Sequence, residues 1–273
     1  MKFFFFALAL IPLSASALTV YNQNVFDQLQ GDWKPDFREK RMKIMATFVK
    51  AKKPDVIVFE EARGALPGAQ GGGDDSVDSS SIRASYPFRK YVHEMTGADG
   101  ASYGYWIGAK KKPREWIEDK FSFPGGVERR VLGAVWNKAL AGGKCLGVLG
   151  LHLSYQNSEV RQKEAAWLLD WLKAHEKSCP SWLVMGDFNA SEKDKEMKML
   201  FDGGLKPLLA EPYPPTVGPY NPIRAIYGKD KPNLTIDWAL GWNLAGHADV
   251  VLGEASASGD WVSDHAGIFT RLK

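Results

Sequence analysis

The feature that most constrains this chain is a series of short apolar runs that alternate with helical patterns. Strands are expected at residues 18–21, 55–59, 131–136, 146–151, 182–185, 235–240, 248–252 and 267–270. Two sets of apolar residues recur with helical spacing, namely Ile44, Met45, Phe48 and Val49, and Ala165, Leu168, Leu169 and Leu172. Both kinds of pattern along one chain predict a layered α/β domain.

The first 17 residues predict an exported protein. Lys2 precedes an apolar run at residues 3–13 that is too short to span a bilayer, and residues 14–17 supply the small side chains that signal peptidase requires. A periplasmic or extracellular mature chain is expected, with a single domain over residues 18–273. Removing Lys2 lowers the formal net charge from +3 to +2, which neither requires nor excludes a polyanionic partner.

Polar or ionisable residues stand at the ends of six short apolar segments. They are Asn22, Glu60 and Glu61, His152, Asp187 and Asn189, Asp237, and Asp264 and His265. Removing so many acids, amides and imidazoles from water is costly unless each of them has a partner. A metal ion together with a phosphate group would supply such partners.

In this order the segments resemble the endonuclease/exonuclease/phosphatase superfamily, which includes DNase I, the abasic-site nucleases and the neutral sphingomyelinases. The resemblance is carried by Tyr21-Asn22, residues 55–61, Leu151-His152-Leu153, Gly186-Asp187-Phe188-Asn189-Ala190, Ile236-Asp237 and Ser263-Asp264-His265. It spans nearly the whole mature chain, although residues 64–127 match only loosely. It implies a four-layer α/β sandwich with two central β-sheets flanked by helices, and an active site at the shared edge of the sheets.

The resemblance also implies a metal site. Glu61 would be the main carboxylate ligand of Mg²⁺ (or Mn²⁺), helped by Asn22 and completed by Asp264, because such cations prefer oxygen ligands. Glu60 departs from the Gln or Asn that is more usual beside the metal ligand. Its carboxylate either adds negative charge near the metal or, by strand alternation, points to the opposite face.

A catalytic set around His265 follows from the same resemblance. His265 would take a proton from the water that attacks phosphorus, with Asp237 orienting the imidazole ring. Asp187 would orient that water or help to hold the metal, and Asn189 would donate to a phosphoryl oxygen. His152 would bind phosphate and protonate the leaving group.

Three arginines are candidates for substrate binding. Arg129 and Arg130 precede a strand at a position where family members often have a phosphate-contacting arginine, and the alternative is a pair of surface arginines. Arg63 follows Glu61 by two residues, where DNase I has an arginine that reaches into the minor groove.

The implied function is a secreted, monomeric, metal-dependent phosphodiesterase, whose substrate the sequence leaves open. Arg63 favours a nuclease that acts on nucleic acid. The Glu60-Glu61 pair also occurs in some neutral sphingomyelinases, which act on phospholipid headgroups, and an exposed Trp116, Phe121 or Phe123 would then enter the membrane. A phosphomonoesterase acting on a soluble ester is a third possibility. A catalytically dead binding module, the fourth, predicts losses among the acids and histidines, and none is evident.

Two further features leave alternatives open. Cys145 and Cys179 each precede an apolar run, so a disulfide is geometrically possible if those runs are neighbouring parallel strands, and two separate thiols are the alternative. The run at residues 110–112, all lysines with Trp106 and Trp116 nearby, either binds an anionic polymer or lipid surface or forms a solvated turn.

Overall fold

The computed structural model describes residues 18–25, 35–64, 80–96, 102–139, 143–218, 232–254 and 261–273. Within these residues the strands form two six-stranded sheets. The first sheet has the order β11 (Gly246–Val251), β12 (Gly267–Leu272), β1 (Leu18–Asn24), β2 (Val56–Gly64), β4 (Ser102–Ala109) and β3 (Phe88–Thr96). The second has the order β5 (Glu115–Phe121), β6 (Arg129–Trp136), β7 (Leu146–His152), β8 (Trp182–Asp187), β10 (Asp237–Trp242) and β9 (Lys206–Pro207).

Four described helices cover the outer faces of the sheets: α1 (Pro35–Lys52), α2 (Ser80–Ser85), α3 (Ser158–His175) and α4 (Lys195–Asp202). Strand β2 illustrates the layering, because its side chains alternate between two hydrophobic cores. Val56 and Val58 belong to the core between the sheets, whereas Ile57 and Phe59 pack in the core that contains Met45 of α1. The four-layer sandwich implied by the resemblance is confirmed.

Two pairs of parallel strands bring the predicted metal-binding and catalytic residues together. β1 runs parallel to β2 in the first sheet, and β7 runs parallel to β8 in the second. In the second sheet the paired residues at this end are His152 with Asp187, and Asp237 with Asp187. We call this end of the sandwich, with Asn24, Glu60, Glu61, His152, Asp187, Asp237, Asp264 and His265, the polar edge.

The opposite end of the second sheet carries a disulfide. Cys145 and Cys179 are bonded, with their Cα atoms 5.4 Å apart. Each cysteine lies just before one of the parallel strands β7 and β8, as the sequence allowed. The alternative of two separate thiols is therefore wrong.

The sequence did not indicate four of the described strands. Three of them, β3, β4 and β5, lie in the part of the chain that matched the superfamily loosely, and the fourth is the two-residue strand β9. Strand β1 continues to Asn24, three residues beyond its expected end. The predicted signal peptide, residues 1–17, lies outside the described residues. None of the described helices is both long and apolar enough to span a membrane.

Candidate active site

A bulge in β2 allows two consecutive acids to reach the polar edge. Phe59 pairs with Trp106 and Ala62 pairs with Gly104, so Glu60 and Glu61 together lie opposite a single residue of β4. Glu61 has a φ of +51°, in the left-handed region. The extra residue breaks the alternation of side chains along the strand. The expectation that alternation would send one acid away from the site is therefore wrong.

Glu60 lies between the sheets and is fully buried. Its Oε1 accepts a hydrogen bond of 2.6 Å from Asn22 Nδ2. Burial, together with the charges of Asp237 and Asp187, holds the pKa of Glu60 well above its usual range despite that hydrogen bond. The protonated form is favoured, so Glu60 lies beside the site without adding a full negative charge to it.

Glu61 is held by Asn24, and this corrects the prediction for Asn22. Asn24 Nδ2 donates to Glu61 Oε1 at 3.1 Å and lies 3.3 Å from Asp187 Oδ2, so it links the two sheets. Asn22 lies one step deeper on the same face of β1, where its amide donates to Glu60 Oε1. The sequence prediction stopped the strand too early and took the wrong asparagine.

The loop before β12 carries His265, which pairs with Asp237. His265 Nδ1 lies 2.9 and 3.1 Å from the two carboxylate oxygens of Asp237. Burial lowers the pKa of His265, but Asp237, Asp264 and Asp187 together outweigh it and raise the pKa to about 10. His265 Nε2 lies 3.8 Å from Asp187 Oδ2 and 3.9 Å from Asp264 Oδ2. The nitrogen remote from Asp237 thus faces the carboxylates of the polar edge.

Two side chains to which the sequence assigned no role in the site fix this loop to β1. Gln23 Nε2 donates to the carbonyl oxygens of Asn24 and His265, both at 2.9 Å. Ser263 Oγ donates to the same Asn24 carbonyl at 2.7 Å. The position of His265 therefore depends on β1, although the two segments are far apart in the sequence.

Gly186 and Asn189 adopt the backbone conformations that hold Asp187 in place. Gly186 has a φ of +140°, and a Cβ atom there would lie 1.9 Å from the carbonyl oxygen of Leu151, so only glycine fits. Asn189 has a φ of +49°, its backbone N–H donates to Asp187 Oδ1 at 2.8 Å, and its Nδ2 donates to the carbonyl of Leu153 at 2.9 Å. Asn189 thus orients Asp187 and holds the end of β7, while its contact with a phosphoryl oxygen stays a prediction.

His152 is buried next to Asp187, with 3.5 Å between His152 Nε2 and Asp187 Oδ2. His152 Nδ1 is buried and has no hydrogen-bond partner among the described residues. Burial, together with Arg129 and His265, lowers the pKa of His152 well below its usual range. The neutral imidazole is therefore favoured in this state of the protein.

Arg129 is buried, with 4% of its side chain exposed, so the alternative of a surface arginine is wrong for this residue. Its Nη1 lies 3.3 Å from Glu94 Oε1, and its Nη2 donates to the carbonyl of Leu153 at 3.2 Å. Tyr105 donates its hydroxyl to the same Glu94 oxygen at 2.9 Å. Arg129 therefore lies close to His152 and stabilises the end of β7 through its hydrogen bond to Leu153.

The other two candidate arginines have surroundings different from those of Arg129. Arg130 points to the other face of β6 and forms a partly exposed ion pair with Glu128 at 3.1 Å, so the structure does not support its predicted role in substrate binding. Arg63 is half-buried in β2 beyond the bulge, where its backbone pairs with Tyr103. Its proximity to Glu61 along the strand keeps it at the rim of the polar edge.

The residues present at the polar edge fit a divalent cation. Glu61 Oε2 is buried and lacks a hydrogen-bond partner among the described residues, and burial together with Asp264 raises the pKa of Glu61 to about 7. Such a carboxylate, close to other acids, is costly unless a cation neutralises it. Asp187, Asp237 and His265 also offer ligand atoms within 4.8 Å of one another. Since Asp237 and His265 already contact each other, the oxygens around Glu61 are the better candidates for holding a cation.

Residues 24–265 match the Endonuclease/Exonuclease/phosphatase family, and the chain belongs to this family. Proteins with this fold are hydrolases that act on phosphoester bonds. The match begins at Asn24, the asparagine that contacts Glu61.

Several solved structures are similar over almost their whole length. Sphingomyelinase C from Streptomyces griseocarneus has a TM-score of 0.72 and 19% identity, over 94% of this chain and 99% of that one. A double mutant of beta toxin from Staphylococcus aureus with bound magnesium ions has a TM-score of 0.71 and 18% identity, over 94% and 100%. An endonuclease/exonuclease/phosphatase family protein from Leptotrichia buccalis has a TM-score of 0.71 and 16% identity, over 94% and 100%. No curated protein sequence gives a significant match.

Proposed function

We propose that this protein is a metal-dependent phosphodiesterase whose attacking water is activated by His265. The observation that carries the proposal is the juxtaposition of the His265–Asp237 pair with the oxygens of Glu61, Asp187 and Asp264. A proton acceptor and a set of hard oxygen ligands at one site are what hydrolysis of a phosphate ester requires.

Glu61, Asp187 and Asp264, with Asn24, would hold Mg²⁺ (or Mn²⁺), since carboxylate and amide oxygens suit these cations. When bound, the cation supplies electrostatic stabilisation of the phosphoryl oxygens and offsets the negative charge around His265. Asn24 contacts both Glu61 and Asp187 and so holds these two carboxylates, one from each sheet, close to each other.

The proton transfer is assigned to His265. Its Nε2 accepts a proton from water, and the water oxygen forms a bond to phosphorus. The bond from phosphorus to the leaving oxygen breaks, and that oxygen keeps the electron pair and takes up a proton from the solvent. Asp237 keeps the proton on Nδ1 and stabilises the imidazolium that forms. His152 would contact a phosphoryl oxygen, a role supported by its buried Nδ1 without a partner among the described residues. Its transfer of a proton to the leaving group stays a prediction, because the lowered pKa of His152 favours the neutral imidazole.

Nucleic acid is the substrate class that we propose first. Arg63 supports it from the rim of the polar edge. The absence of the expected membrane contacts also supports it, because Phe121 is buried, and Trp116 and Phe123 pack partly buried against the core. The export predicted from residues 1–17 agrees with the disulfide, since such bonds persist in oxidising compartments.

A sphingomyelinase-type hydrolase of lipid headgroups is the second candidate. Two of the similar structures carry the names sphingomyelinase C and beta toxin. In the described part of the chain the exposed large hydrophobic residues are Met95, Val127 and Tyr155, and all three lie at the same end of the sandwich as the polar edge. These side chains, and not Trp116, Phe121 or Phe123, would then meet the lipid surface.

The test is to incubate the protein with Mg²⁺ or Mn²⁺ and, in parallel, plasmid DNA, RNA, sphingomyelin vesicles, bis(p-nitrophenyl) phosphate and p-nitrophenyl phosphate. His265→Ala is the inactive variant, and His247→Ala, at an exposed histidine remote from the site, is the matched control. We expect cleavage of nucleic acid and of the synthetic diester, lost only in His265→Ala. Release of phosphocholine with intact nucleic acid would select the second candidate. Hydrolysis of the monoester alone, or of no substrate, would contradict a phosphodiesterase.

A further inference from the structure

The charged side chains that line the end of the sandwich opposite the polar edge are almost all cations. Three cavities open there, the largest of about 550 Å³. The cations that line them define what we call the basic end: Lys50, Lys53, Lys110, Lys111, Lys112, Arg114, Lys138, Lys144, Lys206 and Lys273. Among the described residues, Asp55 is the one acid that lines any of these cavities.

The strand pairing sets the location of the basic end. Leu18 pairs with Leu272 and Val56 pairs with Ala109 at this end of the first sheet, and Trp182 pairs with Trp242 in the second. The largest cavity is lined from both sheets. The cations therefore come from many separate segments, and the run of lysines at residues 110–112 is one part of a larger surface.

The positive charge of the basic end is weakly compensated. Every member except Lys110 is exposed, and its nine lysines form no ion pair with another described residue. Asp55 accepts hydrogen bonds from the backbone N–H and the hydroxyl of Thr19, and Glu115 lies 3.7 Å from Arg114. Because the whole chain has a formal net charge of only +3, this concentration of cations is a local feature.

The composition of the basic end favours a lipid surface over nucleic acid. Arginine, with its planar donors, is the residue typical of phosphate-backbone and base recognition, whereas nine of the ten cations here are lysines. The described exposed large hydrophobic residues, Met95, Val127 and Tyr155, lie at the other end, so no such aromatic ring is available here for stacking on bases. Clustered lysines without inserting side chains suit adsorption to anionic headgroups.

We infer that the basic end binds the surface of an anionic phospholipid bilayer, which leaves the polar edge facing away from that bilayer. The binding is electrostatic, through lysine ammonium groups and lipid phosphates, and involves no insertion. It is independent of the phosphodiesterase proposed above, because no member of the basic end belongs to the polar edge.

Vesicle sedimentation in EDTA tests this inference without any catalytic turnover. The protein is mixed with phosphatidylcholine vesicles with and without phosphatidylglycerol. The variant Lys111→Gln/Lys112→Gln/Lys138→Gln removes three charges from the basic end. Its matched control, Lys163→Gln/Lys195→Gln/Lys198→Gln, removes three exposed lysines of α3 and α4. Thermal unfolding checks that both variants are folded.

We expect the wild-type protein to bind only the phosphatidylglycerol vesicles and to dissociate as salt is added. The basic-end variant should lose on the order of a hundredfold in partition coefficient, and the control variant should bind like the wild type. Equal weakening in both variants, or no preference for phosphatidylglycerol, overturns the inference. So does a result in which the three lysines are needed to bind a DNA duplex in EDTA but not to bind the vesicles.

Discussion

The polar edge and the basic end lie at opposite ends of the same strands, yet they hold their charged groups in different ways. At the polar edge Asp237, His265 and Asp187 are buried and joined to neighbours by specific contacts. At the basic end every lysine except Lys110 is exposed, and none of the lysines has an ion-pair partner among the described residues. The polar edge therefore holds each charged group in one position, whereas the lysine side chains of the basic end are not held in place by ion pairs.

This difference indicates that the functional groups of the polar edge lower the stability of the folded protein, whereas those of the basic end do not. Burying Glu60, Glu61 and His152 takes polar atoms out of water, and each of these residues retains an atom with no partner among the described residues. An exposed lysine keeps its hydration and costs little. Substitutions at the polar edge should therefore change both catalysis and stability, and substitutions at the basic end should change neither.

The largest effect is expected for Asp237→Asn at the polar edge. The amide retains the shape of the side chain but cannot stabilise a charged His265, so kcat should fall by about 10²- to 10⁴-fold. Steady-state kinetics with a soluble diester, alongside thermal unfolding, measure the two consequences separately. A variant that keeps wild-type kcat would remove Asp237 from the mechanism.

A second comparison sets a buried ion pair against an exposed one. Glu94→Ala leaves Arg129 buried without its carboxylate and should lower the free energy of unfolding by about 3–5 kcal/mol. Glu115→Ala breaks the exposed pair with Arg114 at the basic end and should leave it nearly unchanged. Urea unfolding of both variants tests the contrast, and equal losses would show that the two ends do not differ in this way.

The metal-free protein should become less stable as the pH rises, because of Glu61. Its pKa is raised from 4.5 to about 7 in the folded protein, so its contribution is fully present below pH 4.5 and is lost as the pH rises through 7. After allowance for its partial exposure the loss is about 2 kcal/mol. Thermal unfolding in EDTA from pH 4.5 to 8 measures it.

Glu61→Gln provides the control for this pH dependence. The variant should show a flatter profile in EDTA and little stabilisation by added Mg²⁺, whereas Mg²⁺ should restore the wild-type protein at pH 8. The assignment of the cation to Glu61 fails if Mg²⁺ stabilises the variant as strongly as the wild type.

The smallest effect is expected for Lys111→Gln/Lys112→Gln/Lys138→Gln. With a soluble diester its kcat should equal that of the wild type, and its free energy of unfolding should change by about 0.5 kcal/mol or less. A marked loss of activity on a soluble substrate would mean that the two ends of the sandwich are coupled.

The sequence predicted much of the polar edge because local patterns encode it. Asp187, Asp237 and His265 each stand beside a short apolar segment, and parallel strands bring such segment ends to one edge. The choice of Asn22 failed because the length of β1 depends on its partners β2 and β12, which a local pattern does not reveal. Asn24 and Asn22 lie on the same face of β1, so the alternation of side chains could not show which of them contacts Glu61.

The remainder of the site depends on contacts between distant segments. The bulge that places both Glu60 and Glu61 at the polar edge arises from pairing between β2 and β4, and β4 had no recognisable alternation. Glu94 lies on β3, whose mixed polar sequence gave no strand signal, so its pairing with Arg129 could not be foreseen. The different fates of Arg129 and Arg130 follow from the face of β6 on which each one lies.

The position of the basic end determines which substrates the polar edge can reach when the protein is bound to a bilayer. Strand β1 has seven residues, so the two ends of the sandwich are separated by about 23 Å at a rise of roughly 3.3 Å per residue. A molecule adsorbed through its lysines would hold its carboxylates and histidines at that height above the bilayer. It would then reach molecules in the surrounding fluid or on a facing surface, and the headgroups beneath it would stay beyond its reach.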